Sequence, residues 1–189
     1  IIQMELQEIL KKHREYYLKK YLNYTSTIDN AVLELLIDVN SEEPEEIFRL
    51  YRYDLATNSE EGPDIKEFNA DGYLNHQAVN FTINNKKIIL APISWNGVEI
   101  SVDNYSDDIE NIKKWAIKWI DLEDEKTQDS NNLQGVIHNI TKPAKEDNGI
   151  NFSVDFGSSP VEAALELIDI LSNDDKATLI ELNSPWMTE

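Results

Sequence analysis

Few residues in this chain are of a type that does nucleophilic or acid–base chemistry near neutral pH. Histidine occurs three times, at His13, His76 and His138, and cysteine is absent. Without cysteine there is no disulfide framework, no thiolate zinc site and no Cys nucleophile. The histidines fit no HExxH frame and lie too far apart in sequence to suggest a His-pair metal site. His138 alternates with Val136 and Ile140 in a strand-like run, and Asp155, Ser158 and Ser159 follow it. A hydrolase could be assembled from His138, Asp155 and Ser158, but a Ser/His/Asp triad is defined by geometry and not by order in the chain. A strand histidine making a structural hydrogen bond is the favoured reading.

Other chemistries are excluded by spacing. Gly72, Gly97, Gly135, Gly149 and Gly157 stand singly, so no GxxxxGK[ST] or GxGxxG phosphate loop exists. Asp103, Asp107, Asp108 and Glu110 lack the EF-hand spacing. Carboxylates are too abundant for any one pair to indicate glycoside hydrolysis. Neither a cofactor nor a metal is expected, and the chain is read as a non-enzyme.

The strongest compositional signal is acid. There are 36 Asp and Glu against 17 Lys and Arg, a formal net charge of −19 over 189 residues. Residues 1–22 carry +2 and the remainder −21, so the negative field belongs to the body of the protein. It gathers at Glu42–Glu46, Asp103–Glu110, Asp121–Glu125 and Asp174–Asp175, in clusters shorter than a disordered acidic tail. A field of this sign repels nucleic acid and anionic membrane, and it steers a cationic partner into contact. The longest apolar run, Ile88–Ile93, is too short to span a bilayer, and no secretory signal opens the chain. A soluble protein of a reducing cytoplasm is expected. The opening Ile1-Ile2-Gln3-Met4 leaves Met4 either the natural start or an internal residue of a longer chain.

The length fits one domain over residues 1–189. Leu6, Ile9, Leu10, His13, Tyr17 and Tyr21 recur at three- and four-residue steps, which predicts an amphipathic helix over 2–22. The run 31–39 is helix or buried strand, 47–53 suits a strand, and 57–72 reads as a polar loop. Val79–Ile83 alternates and turns through Asn84-Asn85 into a second strand. An Asn96-Gly97 type I′ turn then extends this hairpin to an antiparallel meander ending at Val102. A helix capped by Ser106 or Asp107 is expected to about Leu122. Strands at 135–140 and 150–156 form a hairpin through Asp147-Asn148-Gly149. Ser159, Pro160 and Glu162 form a capping box for a helix to about Leu171, and 177–182 closes as a strand. The order without regular βαβ alternation gives an α+β fold, a largely antiparallel sheet with an N-terminal helix and two further helices packed on it.

The segment Gly135-Val136-Ile137-His138, followed by Phe152-Ser153-Val154-Asp155-Phe156-Gly157-Ser158-Ser159-Pro160-Val161-Glu162-Ala163 and Leu165-Glu166-Leu167-Ile168-Asp169, resembles a pattern in small bacterial immunity proteins that neutralise polymorphic toxins, including those of contact-dependent inhibition. The resemblance covers about the last third of the chain. It implies a cytosolic, non-catalytic protein that binds one cognate toxin domain, and acidic members resemble inhibitors of cationic nuclease toxins. It transfers no binding residue. From the sequence's own features the expected contacts are Asp103, Asp107, Asp108, Asp121, Glu123 and Asp124, with Trp95 and Tyr105 as aromatic anchors. An acidic adaptor in a larger assembly is the remaining alternative.

Overall fold

The computed structural model describes residues 2–60, 62–70, 72–106 and 108–184. Helix α1 (Ile2–Thr25) opens the chain and buries Leu6, Leu10, His13, Tyr17 and Tyr21 along one stripe. Strand β1 (Val32–Asp38) settles the ambiguous apolar run, and a single 3-10 turn (Glu46–Phe48) leads into β2 (Leu50–Ser59). The loop expected over 57–72 is corrected: β2 runs on to Ser59 and β3 (Gly62–Lys66) returns against it. β1, β2 and β3 form a three-stranded antiparallel sheet.

A larger sheet follows. It contains β4 (Val79–Ile83), β5 (Lys86–Leu90), β6 (Val98–Asp103), β7 (Asn139–Ile140), β8 (Ala144–Glu146), β9 (Gly149–Asp155) and β10 (Leu179–Asn183). Helices α2 (Glu110–Ile120) and α3 (Val161–Ser172) complete the α+β architecture. The β4–β5 hairpin is as expected, with Asn84 and Asn85 both left-handed at φ 51° and 63°.

The meander is corrected. β6 does not pair with β5; β10 lies between them, parallel to β5 and antiparallel to β6, in the order β4-β5-β10-β6-β9-β7. Packing explains the order. In register, Phe81, Ile88, Ile180, Val102 and Ile150 form one row across five strands, and Val79, Leu90, Leu182, Ile100 and Phe152 form the next. A continuous apolar face is what fixes register in a sheet with a buried side. The turn at Asn96 is centred on Trp95-Asn96, closed by Gly97 N–H donating to Ser94 O at 3.0 Å, and neither Asn96 nor Gly97 has positive φ. It therefore redirects the chain without forming a type I′ hairpin.

Three further expectations change. α2 begins at Glu110, with Asp108 Oδ1 accepting from the Glu110 N–H at 2.9 Å; Ser106 makes no cap, and Asp107 lies outside the described residues. The strand expected over 135–140 is reduced to β7, and β8 takes over the hairpin with β9. α3 starts at Val161 after an extended Pro160, and the Ser159 hydroxyl is buried with no hydrogen-bond partner, so the capping box does not form. No helix among the described residues is long and apolar enough to cross a membrane.

Candidate functional site: a buried histidine–carboxylate centre and a histidine pair

The two sheets meet where the Arg52 N–H of β2 donates to His138 O at 2.7 Å, and side chains from five segments converge around that contact. Along β2, Leu50, Arg52, Asp54 and Ala56 share one face and are buried, with Leu55 buried on the other. In β1, Leu33 and Glu34 are buried in succession because Glu34 adopts φ 56°, which turns its carboxylate inward where strand alternation would have placed it in water. A non-glycine residue in this region is strained, and such strain persists only where its surroundings over-determine it.

At the centre is His138. Its Nε2 lies 3.0 Å from Glu34 Oε1, and its Nδ1 lies 3.2 Å from Asp54 Oδ1 and 3.9 Å from Asp155 Oδ2. Remaining carboxylate lone pairs are used: Glu34 Oε2 accepts from the Gln134 N–H at 2.5 Å, Asp54 Oδ2 from the Phe68 N–H at 2.6 Å, and Asp155 Oδ1 from the Gly157 N–H at 2.8 Å. Tyr21 of α1 donates to Asp54 O at 2.5 Å, and Tyr17 reaches Asp54 Oδ1 at 3.4 Å. Burial alone would lower the His138 pKa. The charge of Asp155 and the hydrogen bonds to Asp54 and Glu34 outweigh it, so the ring holds its proton well above the usual histidine range. Burial pushes the Asp155 carboxyl up to about 7, against the pull of His138. Asp155 is also the outlet of the centre, its side chain 16% exposed against 0% for Glu34, 2% for His138 and 5% for Asp54.

Arg52 forms a second arm. Its guanidinium donates to Ile120 O, Asp121 O, Glu34 O and Gln134 Oε1 at 2.6–2.9 Å, gripping the carbonyl end of α2, and it pairs with Asp124 at 2.9 Å. Asp121 Oδ2 accepts from the Lys126 N–H at 2.8 Å. Asp121, expected as a partner contact, is thus corrected, its carboxylate engaged within the protein and its side chain 12% exposed, whereas Asp124 remains 56% exposed beside Arg52.

The hydrolase triad is not assembled. Both His138 nitrogens face carboxylates, while Ser158 Oγ accepts from the Gly135 and Val136 N–H groups at 3.0 and 3.2 Å. The base and nucleophile of such a triad must share a hydrogen bond. Ser158 and Ser159 serve as a platform, since Arg14 of α1 donates to their carbonyls at 3.0 and 2.7 Å. Gly157, at φ 47°, packs so closely on His138 that a Cβ there would lie 2.2 Å from the ring.

Trp95 is also corrected as an anchor. It is 1% exposed, its ring centroid 4.8 Å from that of Phe156, and a turn residue of this kind can be a core residue when the turn folds back on a sheet. Asp103, Asp108 and Glu123 are exposed, and Tyr105 is half-buried. Tyr105, Asp108, Asp169, Asp174 and Asp175 line a cleft of about 350 Å³ between the start of α2 and the end of α3. Burial first, then the charges of Asp174 and Asp108, push the Tyr105 phenol up to about 12. Asp174 is held ionised there, its pKa lowered despite burial by hydrogen bonds from Ser106, Ala177 and Lys176. Asp175 belongs to the acidic cluster noted in the sequence, but Asp169 was not singled out, because a surface carboxylate on α3 has no local signal of what it faces.

The structure also brings together two histidines 63 residues apart. His13 Nε2 of α1 faces His76 Nε2 at 2.9 Å, with ring planes inclined by 61°. His13 is buried, and burial together with the His76 charge lowers its pKa to about 4. Their spacing in the sequence suggests no such pair; the contact is a product of the tertiary fold. Among the described residues no group of three or more His, Asp or Glu is arranged to hold a metal ion. Compared with known proteins, the chain matches no protein family, no curated protein and no solved structure.

Proposed function

We propose that this chain is an immunity protein: a cytoplasmic, stoichiometric inhibitor whose acidic surface captures a cationic, nuclease-like toxin domain. The observation that carries the reading is the cleft beside Tyr105, whose described lining holds four carboxylates and no basic side chain. Several acids elsewhere are matched by base: Glu43 and Glu45 meet Lys142, Glu45 and Glu110 meet Lys113, and Glu166 meets Lys118. At this cleft, by contrast, Asp103, Asp108 and Asp175 are exposed around a half-buried aromatic ring. Such an arrangement speeds capture of a positive surface and offers an amphipathic ring as a contact. The resemblance of residues 135–169 to immunity proteins points the same way.

The test reads the adjacent upstream frame for a large secreted protein ending in a small basic domain and mixes that domain with the full chain; an adjacent metabolic operon instead counts against the reading. An equimolar complex that abolishes the domain's toxicity is expected, with association slowing as salt rises because exposed charges are screened beyond about 8–10 Å. Exchanging Asp103, Asp108 and Asp175 for Asn should slow association while leaving the fold intact. Full toxin activity with excess protein would reject the reading for that domain. Salt-independent association would remove the electrostatic part of it.

A further inference from the structure

We propose that His13 and His76 form a binding site for a late first-row divalent transition ion, of the class of Zn²⁺ or Cu²⁺, which fastens the chain at residues 72–78 to helix α1. The inference rests on hydrogen-bond accounting and is independent of the immunity reading.

His76 Nδ1 lies 2.7 Å from Gln77 O. A carbonyl oxygen only accepts, so the Nδ1 carries the hydrogen and the Nε2 of the neutral ring is a bare lone pair. That lone pair is aimed at His13 Nε2, 2.9 Å away. Two tautomers of His13 are then available. With hydrogen on Nε2 the rings share an N–H···N bond, and His13 Nδ1 becomes a buried lone pair with no donor; Nδ1 is in fact buried without a hydrogen-bond partner. With hydrogen on Nδ1, the group faces the Ile93 carbonyl, close enough to raise the His13 pKa though short of a fully formed hydrogen bond. Two Nε2 lone pairs then oppose each other, and a cation is needed between them. The neutral, metal-free pair thus leaves one buried nitrogen mismatched in either form, and the only other bridge is a proton on His76, which places a charge beside the buried His13 ring.

A metal ion resolves the mismatch. Both rings become Nδ1–H donors to backbone carbonyls, Gln77 for His76 and Ile93 for His13, which is how metal-ligating imidazoles are commonly oriented. Zinc–nitrogen bonds of about 2.0–2.1 Å at a tetrahedral angle place two ligand nitrogens roughly 3.3 Å apart. The pair has to open by only a few tenths of an ångström, and His76 sits between β3 and β4, on a segment without strand or helix pairing. Neutral imidazole selects Zn²⁺, Cu²⁺ or Ni²⁺ over Mg²⁺ or Ca²⁺, which take oxygen ligands. Water fills the remaining positions, because His76 is only partly buried.

The experiment titrates the full, chelator-treated chain with zinc chloride, following heat and the imidazole ¹⁵N resonances. One ion per chain is expected, with the His13 and His76 Nε2 signals shifting together and those of His138 unmoved. A His76→Ala variant, which removes a partly exposed ligand and leaves the core intact, should bind at least about tenfold more weakly, since loss of an outer-shell partner alone costs about 10–100-fold. Magnesium chloride should neither compete nor shift the rings. Absence of shifts at His13 and His76 overturns the proposal. Undiminished zinc binding by His76→Ala also overturns it, by placing the ion on surface carboxylates.

Discussion

The molecule holds two buried histidine sites that solve the same problem in opposite ways. His138 is taken out of water as a cation and surrounded by Glu34, Asp54 and Asp155. His13 is buried to a similar degree but as a neutral ring, facing another imidazole. The first site is closed on itself: its carboxylates accept from backbone N–H groups, its glycine fits the ring, and it joins both sheets to α1. The second is unfinished, with one ring nitrogen unmatched. Burial depth alone therefore says little about what a histidine does; the number and sign of its partners decide it.

The largest test of this contrast replaces each ring by leucine. His138→Leu leaves buried carboxylates without their cation and should cost about 3–5 kcal/mol, the usual result of breaking a buried pair from one side. His13→Leu is close to a volume-conserving apolar swap and should cost less than about 1.5 kcal/mol. Urea denaturation midpoints measure both, and equal losses would erase the distinction.

Gly157→Ala tests the closed site from its packing side. A Cβ 2.2 Å from the His138 ring forces a shift, and overpacking of this kind costs about 1–3 kcal/mol. Retention of the wild-type midpoint would show the ring free to move, against the tight enclosure described.

The pH dependence of the metal-free protein separates the sites by sign. Asp155 is raised from 3.8 to about 7, so its stabilising proton is fully counted below 3.8 and its contribution is lost as pH rises through about 7. His138, raised from 6.5, contributes below 6.5 and loses that contribution as pH climbs towards its elevated folded value. His13, lowered from 6.5 to about 4, acts in reverse: its contribution is present above 6.5 and is lost as pH falls to about 4. Between about 4 and 6.5 Asp155 and His13 oppose each other, and above 6.5 stability should decline. In His13→Leu the opposition disappears, so stability should rise steadily as pH falls from 7 to 4. Denaturant midpoints across this range check both profiles.

The smallest effect is expected where the two sites are tied together. Arg14, next to His13, holds the Ser159 carbonyl beside the loop that covers His138, but the Ser159 hydroxyl itself has no partner. Ser159→Ala should therefore be neutral or slightly stabilising in thermal melts. A loss of about 0.5–2 kcal/mol would restore the capping role expected from the sequence.

These sites also mark what the sequence could and could not tell. α1, the β4–β5 hairpin, α3 and β10 were legible because their signals are local: apolar periodicity, paired Asn residues and a strand-like run. The position of β10 was not, because it follows from matching Ile180 and Leu182 to apolar rows on strands that lie far away in the chain. His138 is legible as a strand histidine with a structural hydrogen bond, and Asp155 only as a member of a hydrolase triad, while Glu34 and Asp54 carry no signal of their role. A left-handed φ at Glu34 reverses the alternation from which its exposure would be read. Trp95 misled for a related reason, since a turn fixes chain direction and leaves open which side the aromatic packs on. The His13–His76 contact has no sequence signal at all, as it depends on where the segment after β3 is laid down on α1.

β10 gives the assembly of this protein a direction in time. During synthesis, at about 5–20 residues per second, β4, β5, β6 and β9 all emerge before residues 179–183 exist. Until then the β4–β5 hairpin and the β6–β9 pair each present an open edge, and the gap between them awaits the same short segment. The nascent chain must therefore wait with its two half-sheets apart, and β10, translated after both, acts as the keystone that lets them close.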